Sequence, residues 1–401
     1  MASNNTRVRI LLSLLAVLSA SSAPAQNNGQ LKKDYAAALQ VSEADVAPIL
    51  AKQLEAMQLA GKLEGAIPDD YAGMRISPSK NFSATIYLKS GDQTVLDAYT
   101  TDTVYKIKKA KRSLNELNAI LAEVRATLNA NELNYGSFID LDLQDIQVSL
   151  PDPKLAKQLL KGLEGKQAIR VVQEDITLVP TVIAGEASTV GGYNCTTGFS
   201  VFHSDGRRGV LTAGHCPNSS MTAGPTSSIS YAAGLLNNTD QRDVQWHTKP
   251  DTGSIKLFVG QIKVTGGTTL DITTTSTSVV GAVVCLNGLT SGNKCGKIIS
   301  LGFSGKSAEL TAPSTLITVA DAVVIEATTP GTQMCAEGDS GGPVYSTTFD
   351  ITGQAHALGT EFAGLASYQI GTSIPKRFSR CTFAKIDAIK ALGLTLITNV
   401  L

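Results

Sequence analysis

The chain has 401 residues, room for two or three domains at about 150 residues each. Its 34 basic and 34 acidic residues cancel, which excludes a chain-wide field for nucleic acid. A composition of 43% hydrophobic and 17% charged residues excludes bulk disorder.

Arg7 and Arg9 precede a short apolar run from Ile10 to Leu18, and Ala23-Pro24-Ala25 supplies small residues before Gln26. This is the pattern of a secretory signal peptide over 1–25, its apolar core being too short to span a bilayer. No later segment is apolar for long enough to predict a membrane span.

Residues 1–181 carry 20 charges of each sign and residues 182–401 the remaining 14 of each, so the first part is the charge-dense one. It reads as mixed α/β. Ser42 and Asp45 signal a helix start, followed by Ile49, Leu50, Leu54, Met57 and Leu59 at helical spacing, with Gly61 and Gly65 as the expected end. Phe82 to Tyr99 alternates about Ser90-Gly91-Asp92 and predicts a hairpin. Leu114 to Leu128 predicts a helix, Ile139 to Leu150 a strand, Lys154 to Leu163 a helix after Pro153, and Ile169 to Val172 a strand.

From Val182 the helical period disappears. Short apolar runs at Phe199–Phe202, Gly209–Leu211, Val279–Val284 and Ala322–Ile325 are bounded by Gly, Asn, Ser and Thr, as in an all-β sandwich or barrel. Phe383 to Leu392 predicts a terminal helix closed by Gly393. All 6 cysteines fall in this part, which suggests disulfides formed in an oxidising compartment, although the count alone leaves their pairing open.

Three segments carry chemistry: Thr212-Ala213-Gly214-His215-Cys216, Asp243-Val244-Gln245-Trp246 and Gly338-Asp339-Ser340-Gly341-Gly342-Pro343. A serine hydroxyl needs a base that takes its proton as it attacks. An imidazole titrates in the right range, and a buried carboxylate fixes its tautomer. His215, Asp243 and Ser340 supply these parts. Asp240 and Asp251 are nearby alternatives, but Asp243 alone opens an apolar-alternating strand. The glycines allow a tight turn whose Gly338 and Ser340 amides form an oxyanion hole. His203, His247 and His356 lack such a context, and no histidine pair has metal-ligand spacing, so neither metal nor cofactor is expected.

These motifs resemble those of the chymotrypsin-fold (trypsin-like) serine proteases, most of all the secreted bacterial branch of streptogrisins and α-lytic protease. The resemblance runs from Val182-Ile183-Ala184-Gly185-Glu186, similar to the start of the mature enzymes, to the segment Thr382-Phe383 through Leu396. It implies two six-stranded antiparallel β-barrels with a C-terminal helix over 182–401. It also implies disulfides Cys195–Cys216, Cys285–Cys295 and Cys335–Cys381, and an ion pair for Asp339. A basic residue is usual after the cysteine matching Cys285, and here Leu286 stands there. Lys294, another base, or a new α-amino group at Val182 are the alternatives for that partner. Residues 26–181 resemble the pro-regions of the branch, most clearly over Phe138–Val172, which implies a folding assistant and inhibitor removed at Thr181-Val182.

For substrate binding the resemblance points to Gln333, Ser367 and Gln369. Thr332-Gln333-Met334-Cys335 puts no acid at the pocket base, which disfavours Arg or Lys before the scissile bond, since a cation there is buried unpaired. No histidine flanks Ser367, which disfavours Glu, while Tyr368 and Gln369 stand where relatives often carry glycines, as in a pocket for uncharged side chains. The expectation is a secreted, monomeric serine endopeptidase acting on proteins or peptides, with no nucleic-acid or membrane partner. A catalytically inactive binding protein on the same fold and an ester hydrolase are the alternatives. The Asn218-Ser219-Ser220 sequon matters only in a glycosylating host.

Overall fold

The computed structural model describes residues 29–398, apart from 132, 134, 151, 164–165, 174–177, 181–186, 224–225, 237–239, 251–257, 265–268, 309–315, 349–353 and 373. The signal-peptide reading, the expected mature start at 182–186 and Asp251 lie outside the described residues. Strands dominate, and no helix among the described residues is long and apolar enough to cross a membrane.

The chain opens with two helices, α1 (Gly29–Leu39) and α2 (Glu43–Ala66). Val46, Ile49, Leu50, Gln53, Ala56, Met57, Ala60 and Leu63 line the buried face of α2 at three- and four-residue steps. The Ser42 hydroxyl bonds the Asp45 carboxylate and makes no cap bond to the backbone. The expected stop at Gly61 and Gly65 is not taken, and the helix runs on to Ala66. Gly61 has another cause: a Cβ there would stand 2.7 Å from Thr277 Oγ1, so the missing side chain lets the helix lie against the later part of the chain.

A three-stranded sheet follows, with Tyr71–Ser77 antiparallel to Ser83–Leu88 and the latter parallel to Tyr105–Lys109. The expected hairpin about Gly91 is absent. Asp92 accepts a bond from Thr94 N at 2.9 Å and caps a short helix, α3 (Gln93–Asp97), so the alternating pattern after it is helical. α4 (Leu114–Ala130) forms as predicted, with a reciprocal capping box between Ser113 and Glu116. The single strand expected over 139–150 is a hairpin, Gly136–Asp140 with Asp145–Leu150. Then come α5 (Pro153–Leu160) and the strand Ile169–Gln173, parallel to Asp145–Leu150.

Two larger sheets build the remainder. One has 8 strands: Ala187–Val190, Tyr193–Thr196, Ser200–His203, Arg208–Thr212, Met221–Ala223, Thr226–Gly234, Gln245–Thr248 and, returning from the far end of the chain, Leu394–Leu396. The other joins the strands from Gln261 to Lys385, apart from the separate pair Cys335–Ala336 and Arg377–Phe378, and takes in the 136–150 hairpin, Ile169–Gln173 and Leu178–Pro180. The junction is the long strand Gly292–Ala308, where Leu301 pairs with Ile139 and Gly305 with Gly136. The hydrophobic core likewise ignores any boundary near 181: Leu63, Met74 and Leu121 share a cluster with Leu286, Val344 and Phe383. The predicted terminal helix is shorter than its sequence pattern. Phe383 belongs to the strand Arg380–Lys385, and only Ile386–Leu392 coils, as a 3₁₀ helix ended by Gly393 at φ 68°.

Candidate active site

His215 follows the strand Arg208–Thr212, in a loop tied back by the Cys195–Cys216 disulfide. Asp243 lies just before the strand Gln245–Thr248, which pairs with Arg208–Thr212 through Thr212 and Gln245. That pairing carries the carboxylate to the imidazole. Asp243 Oδ2 lies 2.9 Å from His215 Nδ1, and Oδ1 accepts the His215 backbone N–H at 2.9 Å. Both side chains are fully buried. The double contact fixes the ring and makes Nδ1 the donor, because an ionised carboxylate only accepts. Nε2 is the ring atom left for chemistry; it is buried with no hydrogen-bond partner among the described residues. The alternative Asp240 is engaged elsewhere, by Arg242 at 2.5 Å.

Ser340 reaches the same region through the backbone. Ser340 O accepts from Thr196 N at 2.9 Å, and Thr196 follows the disulfide-bonded Cys195. The histidine and serine loops are therefore both fastened to one strand, Tyr193–Thr196. Gly341, at φ 100°, makes the approach possible: a Cβ there would meet Thr196 O at 2.3 Å and Thr212 Oγ1 at 2.6 Å. The Ser340 hydroxyl is buried and donates to Phe362 O at 3.0 Å. Gly338 has φ 108°, while Asp339 N returns to Ala336 O at 3.0 Å and Gly341 N donates to Glu361 O at 2.7 Å.

The three disulfides are Cys195–Cys216, Cys285–Cys295 and Cys335–Cys381, as the resemblance implied. Among the described residues Asp339 has no basic partner, and Lys294 is not one; Val182 lies outside them. The buried Asp339 carboxylate accepts from Thr290 N and Ser291 N at 3.1 Å each, from Ala336 N at 2.8 Å and from the Ser291 hydroxyl. Burial pushes its pKa up to about 6 against the pull of these bonds. Gly288 admits it, since a Cβ there would stand 2.2 Å from the carboxyl carbon. Four donors meet the need that a cation was expected to meet, which is why Leu286 is tolerated.

Gln333 is half-buried and donates to Ser291 Oγ at 2.6 Å, joining the Asp339 network. Ser367 and Gln369 are exposed, on and just after a 3₁₀ turn Ala366–Tyr368. The strand beside the serine loop ends at Leu365, and its last residues pair with another part of the chain: Ala363 with Pro180, Gly364 with Val179 and Leu365 with Leu178, antiparallel. Phe378 packs beside Gly364, where a Cβ would stand 2.2 Å from the ring. The sequence reading also missed Glu361, a fully buried carboxylate whose N–H donates to Gly342 O at 2.9 Å. Its charge inside an apolar strand was the available signal.

Among the described residues no group of His, Cys, Asp and Glu is arranged to hold a metal ion. No family model matches the chain. It is 25% identical over 363 residues to Streptogrisin-C of Streptomyces griseus, spanning 87% of this chain and 70% of that protein. It is 29% identical over 255 residues to Streptogrisin-A of Streptomyces griseus, spanning 61% of this chain and 76% of that protein. The chain is similar to the streptogrisins, chymotrypsin-fold bacterial serine proteases. Among solved structures, Thermobifida fusca Protease A covers 55% of this streptogrisin-like chain and is itself covered 100%, at 25% identity and a TM-score of 0.40. A Nocardiopsis protease covers 54% and is itself covered 100%, at 21% identity and a TM-score of 0.40.

Proposed function

We propose that the chain is the precursor of a secreted serine endopeptidase: a signal peptide over 1–25, a pro-region over 26–181 and a protease domain over 182–401 built as two β-barrels. The observation that carries the reading is the buried 2.9 Å contact between His215 Nδ1 and Asp243 Oδ2, which leaves Nε2 as the proton acceptor. Ser340 is the nucleophile. Its hydroxyl turns from Phe362 O to His215 Nε2, gives up its proton and attacks the scissile carbonyl. The Gly338 and Ser340 amides hold the resulting oxyanion. His215 then protonates the leaving amine, and water attacks the acyl-enzyme by the same route in reverse. No cofactor takes part, and the enzyme acts as a monomer.

The pro-region acts as an intramolecular inhibitor. Its last described strand, Leu178–Pro180, lies antiparallel to Ala363–Leu365, in the manner of a bound peptide, and the next peptide bonds in sequence are those about Thr181-Val182. The similarity to Streptogrisin-C supports the precursor reading, since 87% of the chain is more than residues 182–401 can supply. The pro-region also assists folding, as the shared sheet and core suit a template for a slow all-β fold. The enzyme prefers uncharged side chains before the scissile bond.

A serine-directed phosphonate tests the reading. It is expected to label the wild-type chain and not Ser340→Ala, and mass spectrometry is expected to find a product beginning at Val182. Absence of labelling in a folded, processed chain leaves the inactive binding protein. Labelling with turnover of esters and no peptide leaves the ester hydrolase.

A further inference from the structure

We propose that Glu337, through Lys376, is a positioning residue that aims the Gly338 amide. This rests on the reading of Ser340 as nucleophile. Gly338 stands at φ 108°, in a region that glycine enters without strain but does not hold by itself. An oxyanion donor works only if its direction is set in advance. The direction of Gly338 is set from both sides. On one side the Asp339 carboxylate is bound by Thr290, Ser291 and Ala336. On the other, Glu337 is tied to Lys376 three times. Glu337 N donates to Lys376 O at 2.8 Å, Lys376 N donates to Glu337 Oε2 at 3.0 Å, and Lys376 Nζ lies 3.4 Å from Oε1. The ties continue a short zipper in which Ala336 pairs with Arg377 and Cys335 with Phe378, and Met334 N donates to Phe378 O at 2.7 Å.

The contacts differ in weight. The Lys376 ammonium is 44% exposed and its ion pair is screened by water, so it contributes little. The bond from Lys376 N to the carboxylate is charge-assisted and short-range, and it is the side-chain contact that fixes the peptide before Gly338. The contacts of Glu337 run to Lys376, and it acts through that peptide.

The test uses enzyme matured from the full chain. Glu337→Ala is expected to lower kcat about tenfold, part of the hundred- to thousandfold loss for a whole oxyanion donor, with KM within about twofold. Glu337→Gln keeps an oxygen acceptor for Lys376 N and is expected to recover most of kcat. Lys376→Met keeps its own N–H and is expected to lose less than about threefold. A peptide boronate, which forms a tetrahedral adduct, is expected to weaken in step with kcat/KM in Glu337→Ala, while the cleaved product peptide and Tm do not change. A merely structural role would move Tm and product binding as well. If Glu337→Ala does not fold, Glu337→Asp, one methylene too short, is read in its place. Wild-type kcat in Glu337→Ala (or in Glu337→Asp where it is read instead), or a loss carried by KM or Tm, overturns the inference. A wild-type chain with no Ser340-dependent hydrolysis overturns the protease reading along with it.

Discussion

Gln53 binds both backbone groups of Val283 across 230 residues of sequence: its Nε2 donates to Val283 O at 2.8 Å, and Val283 N donates to its Oε1 at 2.8 Å. The side-chain amide acts as one rung of a β-ladder, holding the first residue of the strand Val283–Gly288 to helix α2. Gln53→Ala strands two buried backbone groups at about 1–3 kcal/mol each. Urea unfolding of the full chain carrying Ser340→Ala is expected to register a loss of about 2–6 kcal/mol. A shift below about 0.5 kcal/mol shows that water replaces the amide without penalty.

The three proposed catalytic side chains should respond unequally. Ser340→Ala or His215→Ala is expected to lower kcat about a millionfold. Asp243→Asn is expected to lose about ten-thousandfold, since the ring survives in the wrong tautomer. Equal and small losses in a peptide-cleavage assay would count against the 2.9 Å His215–Asp243 contact as the working geometry.

Two buried groups should oppose each other in acid. Asp339 has its pKa pushed up to about 6, so as pH rises from about 4 the unfolded chain ionises first and the fold loses stability until about pH 6. His247, buried beside Gln245, is pushed down to about 4 by desolvation. The unfolded chain therefore takes up its proton first as pH falls below about 6.5, and stability is lost toward pH 4. Each shift amounts to about 3 kcal/mol across its window. Relative to Asp339→Asn, the wild type should lose ground by about that much from pH 4 to 6; relative to His247→Gln, it should gain. Stability curves in the Ser340→Ala background check both signs.

The Cys195–Cys216 disulfide closes a loop of 21 residues, worth about 3 kcal/mol by the chain-entropy estimate. Because it also joins the histidine loop to the strand that holds Ser340 O, Cys195→Ser with Cys216→Ser is expected to lower kcat more than KM, even below the new Tm. Calorimetry and steady-state kinetics on the same sample separate the two effects.

Much of the site was legible because its chemistry demands particular residues close together in sequence: His215 before Cys216, and Ser340 among glycines. Asp243 was legible from the strand it opens. What failed depends on long-range partners. Lys294 failed as the partner of Asp339 because amides of Thr290 and Ser291, invisible as donors in a sequence, hold the carboxylate in this chain. The exposed turn that carries Ser367 and Gln369 is a tertiary property that the local sequence does not encode. Helix α2 outran its glycines because propensity yields to packing, Thr277 taking the room that Gly61 leaves. The hairpin about Gly91 was lost to a local competitor, the Asp92 cap.

The strand Gly292–Ala308 serves two masters, bonding the 136–150 hairpin along Leu301–Gly305 while its other side is occupied by Leu316–Ala327. Detaching the hairpin bares a row of amides and carbonyls that is adhesive toward any extended chain, another molecule of the same product included. Were the proposed processing to release residues 182–401, it would thereby create a liability for clumping, greatest in concentrated solution, with the detached hairpin as the natural competitor for that seam.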